Sequence, residues 1–244
     1  MDLANSWTIA TKDISLSKKN KSTFLFLILF PILLSVGLSG ILLLQRRMQS
    51  IPPDFFIMML NASSFSFYSL ACLLPAALAT HSIVGEKIEK SLEPLLAAPI
   101  TDSELLFGKS LATFLPSIAA TYIGAAIFMP LADLLTHDIL GYYYYPNEKM
   151  TVILLLIIPI TCMLSTQLSV VISSRVNDLR TAYHLASVIL LPFVTILILF
   201  NANIIPFTTA NLLLISAVIA IADIVLFYVS IITFHREEIL TRLK

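Results

Sequence analysis

The run from Thr23 to Leu44 reads TFLFLILFPILLSVGLSGILLL and contains no Asp, Glu, Lys or Arg. A helix of this length crosses a hydrocarbon core of ~30 Å. Similar runs recur along the 244-residue chain, of which only 12% is charged, and the mean hydropathy is +0.92. A water-soluble domain of this size needs far more polar surface to cover its core. The sequence therefore predicts an all-α, polytopic membrane protein.

Apolar runs predict six membrane helices in a single transmembrane domain that covers residues 1–244. The expected spans are about residues 23–44, 58–83, 105–130, 151–174, 181–200 and 209–234. The segment 201–209 carries Ile204, Ile205 and Phe207 beside Pro206, and it is expected to dip back into the outer membrane face.

The distribution of Lys and Arg predicts the orientation, because cytoplasmic loops carry an excess of both. With the N-terminus inside, twelve of the fifteen lie in cytoplasmic segments, and Arg46, Arg47 and Lys149 lie outside. We therefore expect a multi-pass protein of the cell membrane with both termini and the 235–244 tail in the cytoplasm. The formal net charge is zero, which gives no indication of a nucleic-acid partner. The twelve cytoplasmic residues are Lys12, Lys18, Lys19, Lys21, Lys87, Lys90, Lys109, Arg175, Arg180, Arg236, Arg242 and Lys244.

Residues 1–22 have the pattern of an amphipathic helix. Leu3, Trp7, Ala10 and Ile14 recur at helical spacing, with lysines nearby. Such a helix lies in the cytoplasmic interface with its apolar face in lipid. On the outer side, Tyr142–Tyr145 are expected to form an aromatic belt at the headgroups, with sugar stacking as the alternative.

A charged stretch interrupts this apolar chain: residues 84–110 read VGEKIEKSLEPLLAAPITDSELLFGKS. Pro94 favours a turn after a charged helix, and Thr101-x-x-Glu104 has the form of a capping box that starts the next helix. Residues 84–104 therefore predict a cytoplasmic helical elbow with an apolar tip. Exposed apolar residues on a charged scaffold indicate a protein contact, although the tip could equally fold under the chain's own bundle.

The stretch ends in Gly108-Lys109-Ser110, the ending of a phosphate-binding loop. That loop needs a glycine where this chain has Ser103, and it lies between a strand and a helix. Here the flanking residues are helical in pattern, so we expect the chain to bind no ATP. Gly108 is expected to permit close helix packing, and Lys109 to place its ammonium at the headgroup boundary.

Several pairs in this stretch are similar to the signature between the second and third spans of the ABC-2 type permeases, the membrane subunits of a class of ATP-driven transporters. Ser91 departs from the family pattern, where a Gly-Thr pair is common. The residues that match the signature are Glu86-Lys87, Ser91-Leu92-Glu93, Leu95-Leu96, Pro99-Ile100 and Gly108-Lys109.

The resemblance implies a non-enzymatic permease with export as its direction. The sequence does not choose among a lipid, a drug-like amphiphile, a peptide and an ion as its substrate. It also implies a separate ATPase subunit that carries ATP and Mg, and a second permease chain, identical or different. The elbow would dock into the ATPase, with an apolar contact and charges at its rim. The implied interface residues are Glu86, Lys87, Glu89, Leu92, Leu95, Leu96 and Pro99.

Two other classes of protein are alternatives to this one. An ion-gradient-driven transporter would use an intramembrane acid, and Asp223 in the last span is a candidate for the substrate or ion path. An intramembrane protease is suggested by Ser39 in Gly-Leu-Ser-Gly, but the histidines nearest a span, His81 and His184, are expected at the opposite membrane face. A metal site at His137, Asp138 and Glu148 has no typical ligand spacing.

Overall fold

The computed structural model describes residues 3–19, 21–47, 52–88, 101–176, 178–202 and 204–233, and these ranges are almost entirely helical. In chain order the elements are α1 Leu3–Lys19, α2 Lys21–Arg46, α3 Pro53–Ile88, α4 Asp102–Leu140, α5 Glu148–Val152, a π-helical turn Ile153–Ile157, α6 Ile158–Arg175, α7 Leu179–Ala186, a 3₁₀ turn Ser187–Ile189, α8 Leu190–Asn201 and α9 Thr209–Thr233.

The six predicted spans are confirmed as helices long and apolar enough to cross a membrane, and the all-α fold class is confirmed with them. Helices α3 and α4 are longer than a bilayer needs, with 36 and 39 residues. Helix α4 runs ten residues past its expected end at 130. The spanning segments are Lys21–Arg46, Pro53–Thr80, Ser103–Leu140, Glu148–Ser173, Arg180–Asn201 and Thr209–Ser230.

Helices α3, α4 and α6 form the centre of the bundle, and α2, α8 and α9 surround them. The outer helices present apolar side chains away from the protein: Leu33, Leu191 and Val218 are each about two-thirds exposed. In water such surface would be costly, but in lipid it needs no cover. The buried core lies where α3 meets α4 and α6.

A row of small polar residues holds α3 against α6. The residues Thr161, Ser165, Ser169 and Ser173 recur every four positions on α6, and all are buried. Ser165 Oγ donates a hydrogen bond to the Cys72 carbonyl of α3, which sets the register of the two helices. Small side chains allow helix backbones to approach closely in a membrane. This row of residues, the α3–α6 seam, therefore joins α6 to the helix that leads into the predicted elbow.

The connection between α4 and α5 folds back onto the end of the bundle at which α4 ends. The Asp133 carboxylate accepts hydrogen bonds from the backbone N–H groups of Tyr144 (2.9 Å) and Tyr145 (3.0 Å). The Tyr145 hydroxyl lies 2.7 Å from Ser64 Oγ, and its ring is buried. The belt prediction is therefore wrong for Tyr145, because its polar end finds partners inside the protein. Tyr142 and Tyr143 remain exposed.

The segment after α8 carries Phe207 back onto the bundle. Its ring centroid lies 5.0 Å from that of Phe200 and 6.3 Å from that of Phe65, both edge-on. Edge-to-face contacts of this kind stabilise aromatic clusters. The turn is thereby anchored to protein, and its re-entry into the membrane stays a prediction.

Candidate functional site

The predicted elbow is bracketed by two long helices. Glu86 and Lys87 lie in the last turn of α3, which ends at Ile88. Helix α4 begins at Asp102. The other residues of the predicted interface lie outside the described residues: Glu89, Leu92, Leu95, Leu96 and Pro99.

The start of α4 is fixed by the predicted capping box, which is confirmed. Thr101 Oγ1 accepts a hydrogen bond from the Glu104 N–H (3.3 Å), and Glu104 Oε2 accepts one from the Thr101 N–H (3.1 Å). Two backbone groups that a helix end leaves unpaired are thereby satisfied. The chain after the elbow enters α4 in one defined direction.

Gly108 brings α1 against the first turns of α4. A Cβ atom at this position would lie 2.8 Å from the Ser6 carbonyl oxygen and 2.9 Å from Ile9 Cβ. Backbone cannot move aside as a flexible side chain can, so only glycine fits here without displacing α1. The prediction of close packing at Gly108 agrees with this geometry.

We expect Gly108→Ala to lower the free energy of unfolding by about 1 to 3 kcal/mol, because it overpacks the contact with α1. Gly37→Ala is the matched control, since a Cβ there meets nothing within 4 Å. That change should be neutral or stabilising by up to about 1 kcal/mol, because alanine favours a helix. Unfolding titrations in mixed micelles measure the stability of both variants. Equal effects of the two substitutions would contradict the close contact between Gly108 and α1.

Helix α1 turns a different face to the bundle from the one expected. Ser6, Ile9 and Ala10 are buried against protein, whereas Trp7 is 55% exposed. The prediction that Ala10 faces lipid is therefore wrong. The close approach at Gly108 makes this face of α1 a protein contact. That the Trp7 side lies in the membrane interface stays a prediction.

Lys109 is the main correction to the predicted site. Its ammonium nitrogen lies 3.1 Å from Asp13 Oδ2 of α1, with side-chain exposures of only 3% and 5%. Lys109 is thus paired inside the protein and does not reach the headgroup boundary. Because residues 108–110 lie within α4, they also do not form the loop that binds phosphate.

Asp13 is the site residue that sequence reasoning missed. It was one carboxylate in a lysine-rich segment, 96 residues from its partner. A weak signal was present, because Ser6, Ile9, Ala10 and Asp13 follow the 3–4 residue spacing of one helical face. A helix face that lies in lipid would not carry an acidic residue, so Asp13 indicates that this face contacts protein.

Asp223 lies in the middle of α9. Its Oδ1 atom is buried, and among the described residues no group donates a hydrogen bond to it. A carboxyl group inside a membrane costs about 2.5 to 3.5 kcal/mol on insertion scales and is often functional for that reason.

We expect Asp223→Asn to slow transport while the amount of inserted protein stays the same or rises. The amide keeps the shape but removes the ionisable group. Substrate efflux from vesicles, normalised to inserted protein, measures the effect, with Ser216→Ala about two turns away on the same helix as the control. Unchanged transport would remove Asp223 from the functional residues.

Asp138 and Glu148 do not assemble a metal site with His137 in the described part of the chain. Asp138 pairs with Arg46 of α2, and the His137 ring lies 3.9 Å from the same carboxylate. No group of three His, Cys, Asp or Glu able to hold a metal ion occurs among the described residues.

Comparison with known proteins agrees with the geometry. Residues 7–214 match the model of the ABC-2 family transporter proteins, from within α1 to the first part of α9. None of the curated proteins compared with the sequence matches it. The match covers most of the chain and includes both helices that bracket the elbow. The chain therefore belongs to the ABC-2 transporter family and is a multi-pass membrane subunit of the permease type.

Proposed function

We propose that this permease is driven by a separate ATPase subunit that docks on the cytoplasmic elbow at 84–104, and that it exports its substrate. The observation that carries the proposal is the anchoring of the elbow's second arm. Helix α4 is capped at Thr101 and held to α1 by Gly108 and by the buried Asp13–Lys109 pair. An elbow can transmit a displacement only if the helices that flank it are held rigidly in the bundle.

The length of α3 supports transmission across the membrane. Its 36 residues correspond to about 54 Å at 1.5 Å per residue. The helix starts at Pro53 on the outer side and ends at Ile88 beside the elbow. A displacement of the elbow would therefore move the outer end of the same helix, and the seam with α6 would carry part of it to a second helix.

In this proposal the apolar contact with the ATPase comes from Leu92, Leu95, Leu96 and Pro99, while Glu86, Lys87 and Glu89 orient the elbow at its rim. ATP and Mg would be bound by the partner and not by this chain. A second permease chain would complete the substrate path, and both termini would lie in the cytoplasm. The two exposed flanks of α2 and α9 offer apolar surface for that second chain or for lipid.

A photo-crosslinker at Leu92 tests the docking, with a purification tag after Lys244. Mass spectrometry of the gently solubilised material should identify an ATPase subunit joined to the elbow. The matched control carries the crosslinker at Val36, which is 52% exposed on the lipid-facing side of α2 and should join no ATPase. Recovery of no ATPase from the Leu92 variant would contradict the proposal and turn attention to an ion-driven cycle at Asp223.

A further inference from the structure

A cavity of about 290 Å³ opens between the outer ends of α3 and α8. Its lining combines aliphatic side chains and aromatic rings with two carboxamides and one carboxylate. The lining residues that matter are Phe65, Phe200, Phe207, Asn61, Asn201 and Asp54. A mostly apolar pocket with a few polar groups is the usual form of a small-molecule site.

The aromatic wall is preformed. Phe65 is buried, and its ring stands edge-on to Phe200 at a centroid distance of 5.3 Å. Phe193 stacks on the same ring at 5.4 Å. Because each ring is held by another ring, the wall presents a fixed aromatic surface to a ligand. The faces of aromatic rings attract cations. Aromatic side chains that are already ordered lose little conformational entropy when a ligand binds.

The polar groups favour a positive charge. Asp54 lies exposed in the first turn of α3, and among the described residues no Lys, Arg or His lies within ion-pair distance of it. Asn61 Oδ1 accepts a hydrogen bond from the Tyr144 hydroxyl (2.7 Å), and burial raises the pKa of Tyr144 to about 12, so the hydroxyl keeps its proton. The Asn201 amide donates to the Leu197 carbonyl (2.9 Å), which leaves its oxygen as an acceptor.

A second cavity of about 280 Å³ lies on the α2 side of the same stretch of α3. Its lining is largely apolar and includes Leu38, Ile41 and Met59. The two cavities share Met58, Ala62 and Asn201, so they adjoin each other. Together they offer one negatively charged compartment and one apolar compartment.

We propose that the two cavities bind a lipophilic organic cation, with the positive charge near Asp54 and the Phe65–Phe200–Phe207 wall and the apolar body extending past Met58. Its role as cargo rests on the proposed function, whereas its binding does not. The position at the outer end of α3 couples the site to the helix that leaves the elbow.

Lys149 limits the strength of the site. Its ammonium nitrogen lies 5.3 Å from the centroid of the Phe207 ring, so this ring already attracts one cation. Lys149 is not among the residues that line the cavity. Its charge opposes that of Asp54, and the two residues should therefore affect the binding of a cation in opposite directions.

Equilibrium binding to the purified chain in nanodiscs tests the inference. The probe is labelled tetraphenylphosphonium, compared with tetraphenylborate, which has the same shape and the opposite charge; empty nanodiscs correct for partition into lipid. We expect saturable binding of the cation only. Asp54→Asn should weaken it about fivefold, the upper range for one exposed ion pair, and Lys149→Gln should strengthen it about twofold. Glu148→Gln, an exposed carboxylate on the same side outside the cavity, should leave it unchanged.

No saturable binding of the cation, equal binding of both ions, or an affinity that Asp54→Asn leaves unchanged would each overturn the inference. Equal binding is the result expected if the cavity accepts lipid chains or a second copy of the protein. The assay needs no ATPase, so it fails independently of the crosslinking experiment. A chain that crosslinks to an ATPase but binds no cation would lose only this inference.

Discussion

Asp13→Asn should lower the free energy of unfolding by about 3 kcal/mol, because it removes the carboxylate that pairs with the buried Lys109 ammonium. The two groups lie 3.1 Å apart with almost no exposure, so water cannot replace the lost carboxylate without opening the contact between α1 and α4. Unfolding titrations in mixed micelles give the stability. ATP hydrolysis by the assembled transporter should also lose its response to substrate, because the second arm of the elbow is no longer held.

The control for this prediction is a pair of the same chemistry in an exposed place. Arg46 and Asp138 also join two helices, but their side chains are 38% and 66% exposed. Asp138→Asn should cost less than about 1 kcal/mol, since water and salt screen an exposed pair. The double variant Asp13→Asn with Lys109→Met removes both charges and should recover much of the lost stability. If Asp13→Asn costs no more than Asp138→Asn, the buried pair does not hold α1.

Leu95→Asp should abolish association with the ATPase subunit while the six spans still insert. An apolar anchor at the centre of an interface contributes about 2 to 4 kcal/mol, and a buried carboxylate without a partner adds a further cost. Such a loss weakens binding roughly 30- to 1,000-fold. Copurification of the ATPase with the tagged permease measures it, with the amount of inserted permease as the reference.

Leu95→Met is the matched control, because it keeps the size and apolar character of the side chain. That variant should retain the ATPase. Retained association of Leu95→Asp would exclude Leu95 from the docking site and favour the alternative in which the elbow tip folds under its own bundle. Loss of association by both variants would indicate misfolding of the elbow and not a lost contact.

The spans could be predicted because their cause is local. About twenty apolar residues without charge specify a membrane helix wherever they occur, since backbone groups in lipid must pair within the segment. The capping box at Thr101–Glu104 could be predicted for the same reason, because both partners lie within one turn. The predicted ends of the helices were less accurate. Helix α4 continues to Leu140 because the segment that carries Tyr144 packs against its last turns and is hydrogen-bonded to Asp133.

The site at α1 and α4 divides in the same way. Hydropathy, charge and one motif predicted the six spans and the family to which the chain belongs, and the elbow between the second and third spans stays a prediction. They could not predict that Lys109 points inward or that Tyr145 is buried, because a lysine or tyrosine near a span end normally reaches the membrane interface. Those positions depend on contacts between residues far apart in the chain: Asp13 with Lys109, and Ser64 with Tyr145. Only the packed bundle brings such partners together, and once they are buried their polar groups must pair with each other.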